Sequence, residues 1–259
     1  MELYAKWRKW RPSNLREEDG VLVASDISLE WLLPWWWENY IRHNSHPVAF
    51  VDFGMSLSMK EWCKKRGEYI PLPVADLFVA AKEEIDPQLV DQWETLYGNR
   101  FWPSRGAYFK KPLACLQSPF RRTIWIDLDC EIQGSIEKAF QCCENPSGLS
   151  HARELSGPLF NSGVIVYRRG SSLMEQWADA SFRSNHRFAT DQDILSHLIH
   201  LSQAQNVSVS ELPPLYNWSR FRKENPEAAI VHWHGAIGKR VIYEKINKPE
   251  LLKDRTGLY

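Results

Sequence analysis

The sequence carries no net charge: its 32 lysines and arginines are matched by 32 aspartates and glutamates. A bulk electrostatic affinity for nucleic acid or anionic membranes is therefore not expected, and any such contact must be local. No window reaches 18 consecutive apolar residues, and Met1 to Arg11 lacks the apolar centre of a signal peptide. We expect a chain that stays in the cytoplasm. Its five cysteines, Cys63, Cys115, Cys130, Cys142 and Cys143, are unevenly spaced and include no C-x-x-C pair, which reads as reduced thiols rather than a disulfide framework. Asn206-Val-Ser and Asn217-Trp-Ser match the glycosylation sequon, but without an export signal that match carries little weight. Glycine and methionine are sparse, and there is no internal repeat, no low-complexity tract and no Pro/Gly/Ser linker that would split the chain. The expectation is one domain over residues 20–259 behind a short N-terminal arm, 1–19.

What is abundant is tryptophan, thirteen in 259 residues, several times the usual share. The length fits one large α/β domain that buries its core without staples, and 25% charged residues argue against disorder.

Short apolar runs alternate with helix-length stretches. Val21 to Ala24 reads as a strand ending at Ser25-Asp26, with a helix over Leu29 to Arg42; Pro47 to Phe53 reads as a second strand, then an N-cap at Ser58 and a helix over Met59 to Arg66. Tyr69 to Leu72 is a third strand candidate. Val74 to Trp102 is mostly helical in pattern, Pro103 to Gly106 breaks it, and a helix resumes over Tyr108 to Leu116. Thr123 to Ile126 is an uncharged central strand, Gly163 to Tyr167 a further strand, Leu173 to Phe182 and Asp193 to Leu201 helices, and Ala228 to His234 a last strand before a polar tail. This alternation predicts an α/β fold, a mostly parallel central sheet with helices on both faces.

In open α/β sheets ligands bind outside the carboxyl ends of the strands. Asp127 and Asp129 stand at such an end, on one side of the chain by strand alternation, where two carboxylates repel unless a cation lies between them. Mn²⁺ or Mg²⁺ with a phosphate-bearing ligand is the natural partner. A bare D-x-D is weak, and another occurs at Asp191 and Asp193; a plain strand end with a capped turn is the competing explanation. His232-Trp233-His234-Gly235 closes the last strand with two histidines on one face and a glycine that allows close backbone approach. Phe160-Asn161-Ser162-Gly163 reads as a polar turn before a strand. Thr190-Asp191-Gln192-Asp193 reads as a helix start in which Thr190 and Asp193 cap and Asp191 and Gln192 are aimed.

Taken in order, VLVASD at 21–26, KKPLACLQSPFRRTIWIDLDCEI at 110–132, FNSGVIVY at 160–167, ATDQDIL at 189–195 and HWHGAIGK at 232–239 resemble the GT-A-fold glycosyltransferases, most closely family 8. The resemblance implies a single Rossmann-like GT-A domain and a sugar moved from a UDP-sugar donor with retention of configuration. Asp26 would contact the uracil and ribose, and Lys111 would face the donor phosphate or sugar. Asp127 and Asp129 would hold Mn²⁺ with His232, Asn161 would face the reaction centre, Asp191 and Gln192 would grip the sugar, and Gly235 and Lys239 would meet the diphosphate.

The family writes its last motif H-x-x-G-x-x-K, whereas Lys239 here comes one residue later; Arg240 is its possible substitute and His234 a second candidate ligand. Two alternatives remain open. A sugar nucleotidyltransferase is disfavoured by the lack of a Gly-rich N-terminal loop, while a non-catalytic nucleotide-sugar-binding relative is kept alive by the shifted lysine. The acceptor, whether glycan, protein or lipid, is not legible. Among the tryptophans, Trp125, Trp177 and Trp233 read as core, and Trp31 to Trp37 as a packed first helix. Trp7 and Trp10 within the basic run 6–11 leave room for a peripheral membrane contact.

Overall fold

The computed structural model describes residue 12 and residues 14–72, 78–153 and 160–246, with the backbone alone at Arg100. Trp7, Trp10 and the membrane contact expected at 6–11 lie outside the described residues. The alternation of buried runs and amphipathic segments folds as expected at the start. Strands β1 (Gly20–Ser25), β2 (Val48–Asp52) and β3 (Glu68–Pro71) are parallel neighbours, with helices α1 (Leu32–His43) and α2 (Leu57–Lys64) between them. Helices α3 (Pro87–Tyr97) and α4 (Arg105–Cys115) lead to β4 (Arg122–Ile126), which returns to lie parallel to β1.

Next come β5 (Cys130–Ile132), β6 (Leu149–Arg153), β7 (Phe160–Arg168), α5 (Ser172–Arg183) and α6 (Asp191–Ala204). The short strands β8 (Ser210–Glu211), β9 (Trp218–Ser219) and β10 (Ile230–His232) precede α7 (Gly235–Lys245). The main sheet has seven strands in the order β3-β2-β1-β4-β7-β6-β8, and a second sheet runs β5-β10-β9. The main sheet is mostly parallel, with β7 antiparallel to both β4 and β6.

Strand alternation divides the core. Val21, Val23, Ile124 and Ile126 pack with Leu32, Trp36, Tyr40 and Ile242 on one face. Leu22 and Trp125 pack with Phe109, Trp177, Ile194 and Leu195 on the other. Both faces are thus covered by helices, as a buried parallel sheet requires.

Several local expectations are corrected. The cap of α2 is Ser56, whose extended backbone lets its hydroxyl accept the Met59 N–H; Ser58 lies inside the first turn. Pro103 breaks nothing: it sits in a 3₁₀ turn, Asn99–Ser104, that runs directly into α4, because a residue entering a helix needs no N–H. Phe160 to Gly163 is not a turn but the start of the nine-residue β7, with a bulge opposite it between His151 and Ala152. Asp127 and Asp129 occupy the turn between β4 and β5, so the alternation expected to place them on one side ends at Ile126. The first part of the expected polar tail, Gly235–Lys245, is α7, whose buried Gly238, Ile242 and Tyr243 recur at helical spacing; the rest of the tail, 247–259, lies outside the described residues.

Residues 16–19 are fastened to the body: the Arg16 N–H donates to Pro119 O, the Arg121 N–H to Glu18 O, and Arg122 grips the Asp19 carboxylate with two nitrogens. No helix among the described residues is long and apolar enough to cross a membrane.

Of the tryptophans around Pro34, Trp36 is fully buried and stacks on Tyr40 with ring centroids 5.2 Å apart. Trp36→Ala is expected to lower the unfolding free energy by about 3–5 kcal/mol, measured by urea denaturation.

Candidate active site

One cleft of about 490 Å³ is lined from the ends of β1 and β4, the start of β7, the N-terminus of α6, the β10–α7 junction and Ala107, Tyr108 and Lys111 of α4. That volume suits a small-molecule ligand. Every site residue expected from the sequence lines it: Asp26, Lys111, Asp127, Asp129, Asn161, Asp191, Gln192, His232, Gly235 and Lys239.

Asp127 and Asp129 do not share one environment; each has its own ammonium. The Asp127 carboxylate accepts from Trp125 Nε1 at 2.6 Å and from Lys111 Nζ at 3.1 Å. Lys111, buried on α4, also donates to the Ser162 carbonyl and hydroxyl, each at 3.2 Å. Burial opposes charge on this lysine, but Asp127 and Asp191 outweigh it and hold its pKa above the ordinary value.

Asp129 Oδ2 accepts from Lys239 Nζ at 2.5 Å, and Oδ1 faces His232 Nε2 at 3.3 Å. Burial pushes this carboxyl up, while Lys239 and His232 together prevail and hold it well below the usual carboxylate range. The one-residue shift of Lys239 is thereby absorbed by α7, whereas Arg240 is exposed and does not line the cleft. Gly238 makes that reach possible: a Cβ there would fall 1.6 Å from the Trp233 carbonyl, so the helix start lies against the His-Trp-His segment. Gly235, at φ +80°, supplies the left-handed turn that begins it.

Thr190 and Asp193 form the expected capping box, which fixes Asp191 at the first residue of α6. Asp191 is 2% exposed, and its Oδ2 stands 3.7 Å from Lys111 Nζ with no hydrogen-bond partner among the described residues. Burial raises its pKa and Lys111 only partly offsets that. Gln192 Oε1 accepts the Ser162 N–H at 3.1 Å. Asp26 Oδ1 is committed to its own turn, accepting from the Ser28 N–H and hydroxyl and from the Leu29 N–H.

Asn217, marked in the sequence only by a glycosylation sequon, orients His232. The direction of the chain of bonds is set by a backbone donor: the Gly163 N–H donates to Asn161 Oδ1 at 2.9 Å, so that oxygen also receives Asn217 Nδ2 at 2.8 Å. Asn217 Oδ1 then accepts from His232 Nδ1 at 3.0 Å, which turns Nε2 onto the Asp129 carboxylate at 3.3 Å. A proton or a cation between Nε2 and the carboxylate is what makes that contact attractive. Gly163 is obligatory here, because a Cβ would meet His232 Cε1 at 2.1 Å.

Asp129, Cys130 and His232 present ligand atoms within 4.8 Å of one another. Cys130 is fully buried and its thiol pKa is pushed well up, first by burial and then by Asp129 and Asp127, so the oxygen and nitrogen donors suit a hard divalent ion and the sulfur does not. Asp127 is absent from this group, being held by Lys111 and Trp125. His234 lies on the cleft wall with Nε2 on Ser219 Oγ at 2.8 Å.

This architecture is that of the GT-A glycosyltransferases. It is similar to the glycosyltransferase GlyE of Streptococcus pneumoniae TIGR4, with 16% identity, a TM-score of 0.55 and a match over 85% of this chain and 55% of that one. It is also similar to mouse xyloside xylosyltransferase 1, with 15% identity and a TM-score of 0.53 over 83% and 97% of the two chains. A third likeness is to the galactosyltransferase LgtC, solved with donor and acceptor sugar analogues, with 12% identity and a TM-score of 0.53 over 92% and 96%. The chain therefore spans about half of GlyE and nearly all of the other two. No protein-family model matches the chain, and no curated protein does.

Two outcomes test this geometry. Asn217→Ala is expected to remove the ordered His232 Nδ1–H resonance in ¹⁵N NMR and to weaken Mn²⁺ binding about 10–100-fold by calorimetry. The unfolded chain gives up the Asp191 proton more readily than the folded one, so the carboxylate penalises folding above the ordinary carboxylate pKa. Asp191→Asn should therefore stabilise the protein by about 0.5–2 kcal/mol at pH 7.5 in denaturant titrations, with the gain vanishing toward pH 4.

Proposed function

We infer that the protein is a glycosyltransferase that moves a hexose from a UDP-sugar to an acceptor hydroxyl with the help of Mn²⁺ or Mg²⁺. The observation that carries this reading is the Asp129–His232 pair: an imidazole whose Nε2 is turned by Asn217 onto a carboxylate, beside a lysine, in a nucleotide-sized cleft of GT-A architecture. Asp129 and His232 would hold the ion, with Asp127 two residues away. When bound, the ion neutralises the diphosphate oxygens of the leaving nucleotide.

The chain's own groups carry the rest. Lys239 is positioned to exchange Asp129 for a diphosphate oxygen and so stabilise departing UDP. Asp191 and Gln192, fixed by the capped start of α6 and by the Ser162 N–H, would hold sugar hydroxyls, with Asn161 beside them. The orphaned Asp191 Oδ2 suits a hydroxyl donor, which would satisfy it and lower the cost of its burial. Asp26 would reach the nucleoside with the oxygen its turn does not use. Retention of configuration follows the family 8 resemblance, with Asp191 and Gln192 flanking the positive anomeric centre. Residues 20–259 would form the catalytic domain and 1–19 an arm. The placement of Lys239 against Asp129 weakens the case for a non-catalytic relative.

The test is a panel of UDP-sugars with Mn²⁺, read as UDP release. We expect release from one hexose donor, its loss with chelator, loss of metal-dependent UDP binding in Asp129→Ala, and retained UDP binding with turnover reduced about 100-fold in Gln192→Ala. No UDP binding and no release from any donor would refute the reading.

A further inference from the structure

We propose that the acceptor is a glycan carrying a negative charge, a phosphate or a carboxylate, recognised by the basic-aromatic loop Arg220-Phe221-Arg222-Lys223. The inference rests on the glycosyltransferase reading and names the acceptor class that reading leaves open.

A narrow groove of about 10 Å³, room for one water, adjoins the main cleft past Asn161 and the two histidines, and Arg153 and Arg222 are part of its lining. It lies on the Nδ1 side of His232, where Asn217 binds, while the Asp129–Lys239 pair lies on the Nε2 side. An anion bound by Arg222 at the mouth of the groove is therefore not the diphosphate of a donor held at Asp129. Among the described residues no carboxylate lines the groove. Arg153 is itself paired with Glu211 through a two-nitrogen contact, which leaves Arg222 as the groove's cation without a carboxylate partner among the described residues.

The loop is built rather than loose. β9 runs parallel to β10, the Arg220 N–H donates to His232 O, the Arg222 N–H to Ser219 O, and Trp218 Nε1 to Lys223 O. This fastening holds two guanidinium groups beside the cleft without a carboxylate on either among the described residues. Arg222 lies over the Trp218 ring at 5.0 Å, and Arg220 lies over Phe221 at 4.0 Å with its Nε on the His234 carbonyl. Arg220, Arg222 and Lys223 place three cations in four residues ahead of Glu224, and a guanidinium without a carboxylate partner suits phosphate or carboxylate by paired hydrogen bonds. Phe221 is 64% exposed and at a steep angle to His234; Arg220 covers one face of its ring, and the other could stack on a sugar. Asn161 lines both cavities, so a glycan anchored by its charge on Arg222 at the groove's mouth lies beside the place where the transferred sugar would be held.

The test measures binding of three matched probes, a neutral hexoside, its 6-phosphate and the corresponding uronide, by calorimetry with UDP and Mn²⁺ present. One or both anionic probes should bind at least about tenfold tighter than the neutral one, with the advantage shrinking as salt is raised. Comparison of the two anionic probes identifies which charge is read. Arg222→Gln should erase the advantage while leaving the neutral probe within about twofold, and Arg222→Lys should keep part of it. Phe221→Ala should weaken all three probes alike. Equal binding of the three probes by the unmodified protein, or an advantage that survives in Arg222→Gln, overturns the proposal. So does an Arg222→Gln variant that loses UDP as much as the anionic probe, because the arginine then serves the donor. If UDP itself fails to bind the unmodified protein, the glycosyltransferase reading falls and this one with it; if UDP binds and no anionic preference emerges, only the acceptor assignment falls.

Discussion

The Gly163 N–H donates to Asn161, Asn161 accepts from Asn217, Asn217 accepts from His232, and His232 faces an Asp129 held by Lys239. One backbone donor thus sets the polarity of a path that crosses from the main sheet to the small one. The path depends on close packing at two glycines, since side chains at Gly163 or Gly238 would collide with His232 and with the Trp233 backbone. β7 and the small sheet must therefore approach closely before the site exists, and the Asp127 N–H donating to Gly163 O ties β7 to the turn that leads into β5. Without it His232 would be an ordinary histidine at a strand end.

Charge balance follows from the same packing. Three buried or half-buried carboxylates, Asp127, Asp129 and Asp191, face two lysines, and the lysines are divided unevenly. Lys111 serves Asp127 closely and Asp191 at 3.7 Å, while Lys239 serves Asp129 alone. The result is one carboxyl held well down and another pushed up within a single cleft. Such divergence between neighbouring acids is characteristic of sites built to bind charge rather than of solvated surface.

The alternating strands, the capped start of α6 and the residues of the cleft were legible because each rests on a local signal: an apolar run, a Thr-x-x-Asp box, an acid at a strand end. The failures have a common cause. Asn161 and Ser162 look like turn residues, yet they begin β7 because their polar groups are satisfied across the sheet, by Asn217, Gln192 and Lys111. Helix α7 was hidden by two glycines that disfavour helix locally, Gly238 required by its contact with Trp233 and Gly235 by its positive φ. The two-residue strands β8 and β9 carry too few residues for any periodicity. Asn217 lies 56 positions from its partner Asn161, and nothing in its own neighbourhood marks it out beyond a sequon it does not need.

The tryptophan excess finds its place in this scheme. Trp31 stacks on Tyr243 of α7 with ring centroids 3.9 Å apart, and Trp37 joins Phe50 and Trp62 beneath α1. The indole N–H groups of Trp31 and Trp36 find no acceptor among the described residues, each a cost of about 1–3 kcal/mol that only large apolar contact offsets. That contact is what seats α7 on α1. Since α7 has little intrinsic helix preference and carries Lys239, the aromatic layer at the front of the chain is what keeps the ammonium aimed at Asp129. An aromatic cluster that composition alone presents as surplus core is, by this route, part of the machinery that positions charge in the cleft.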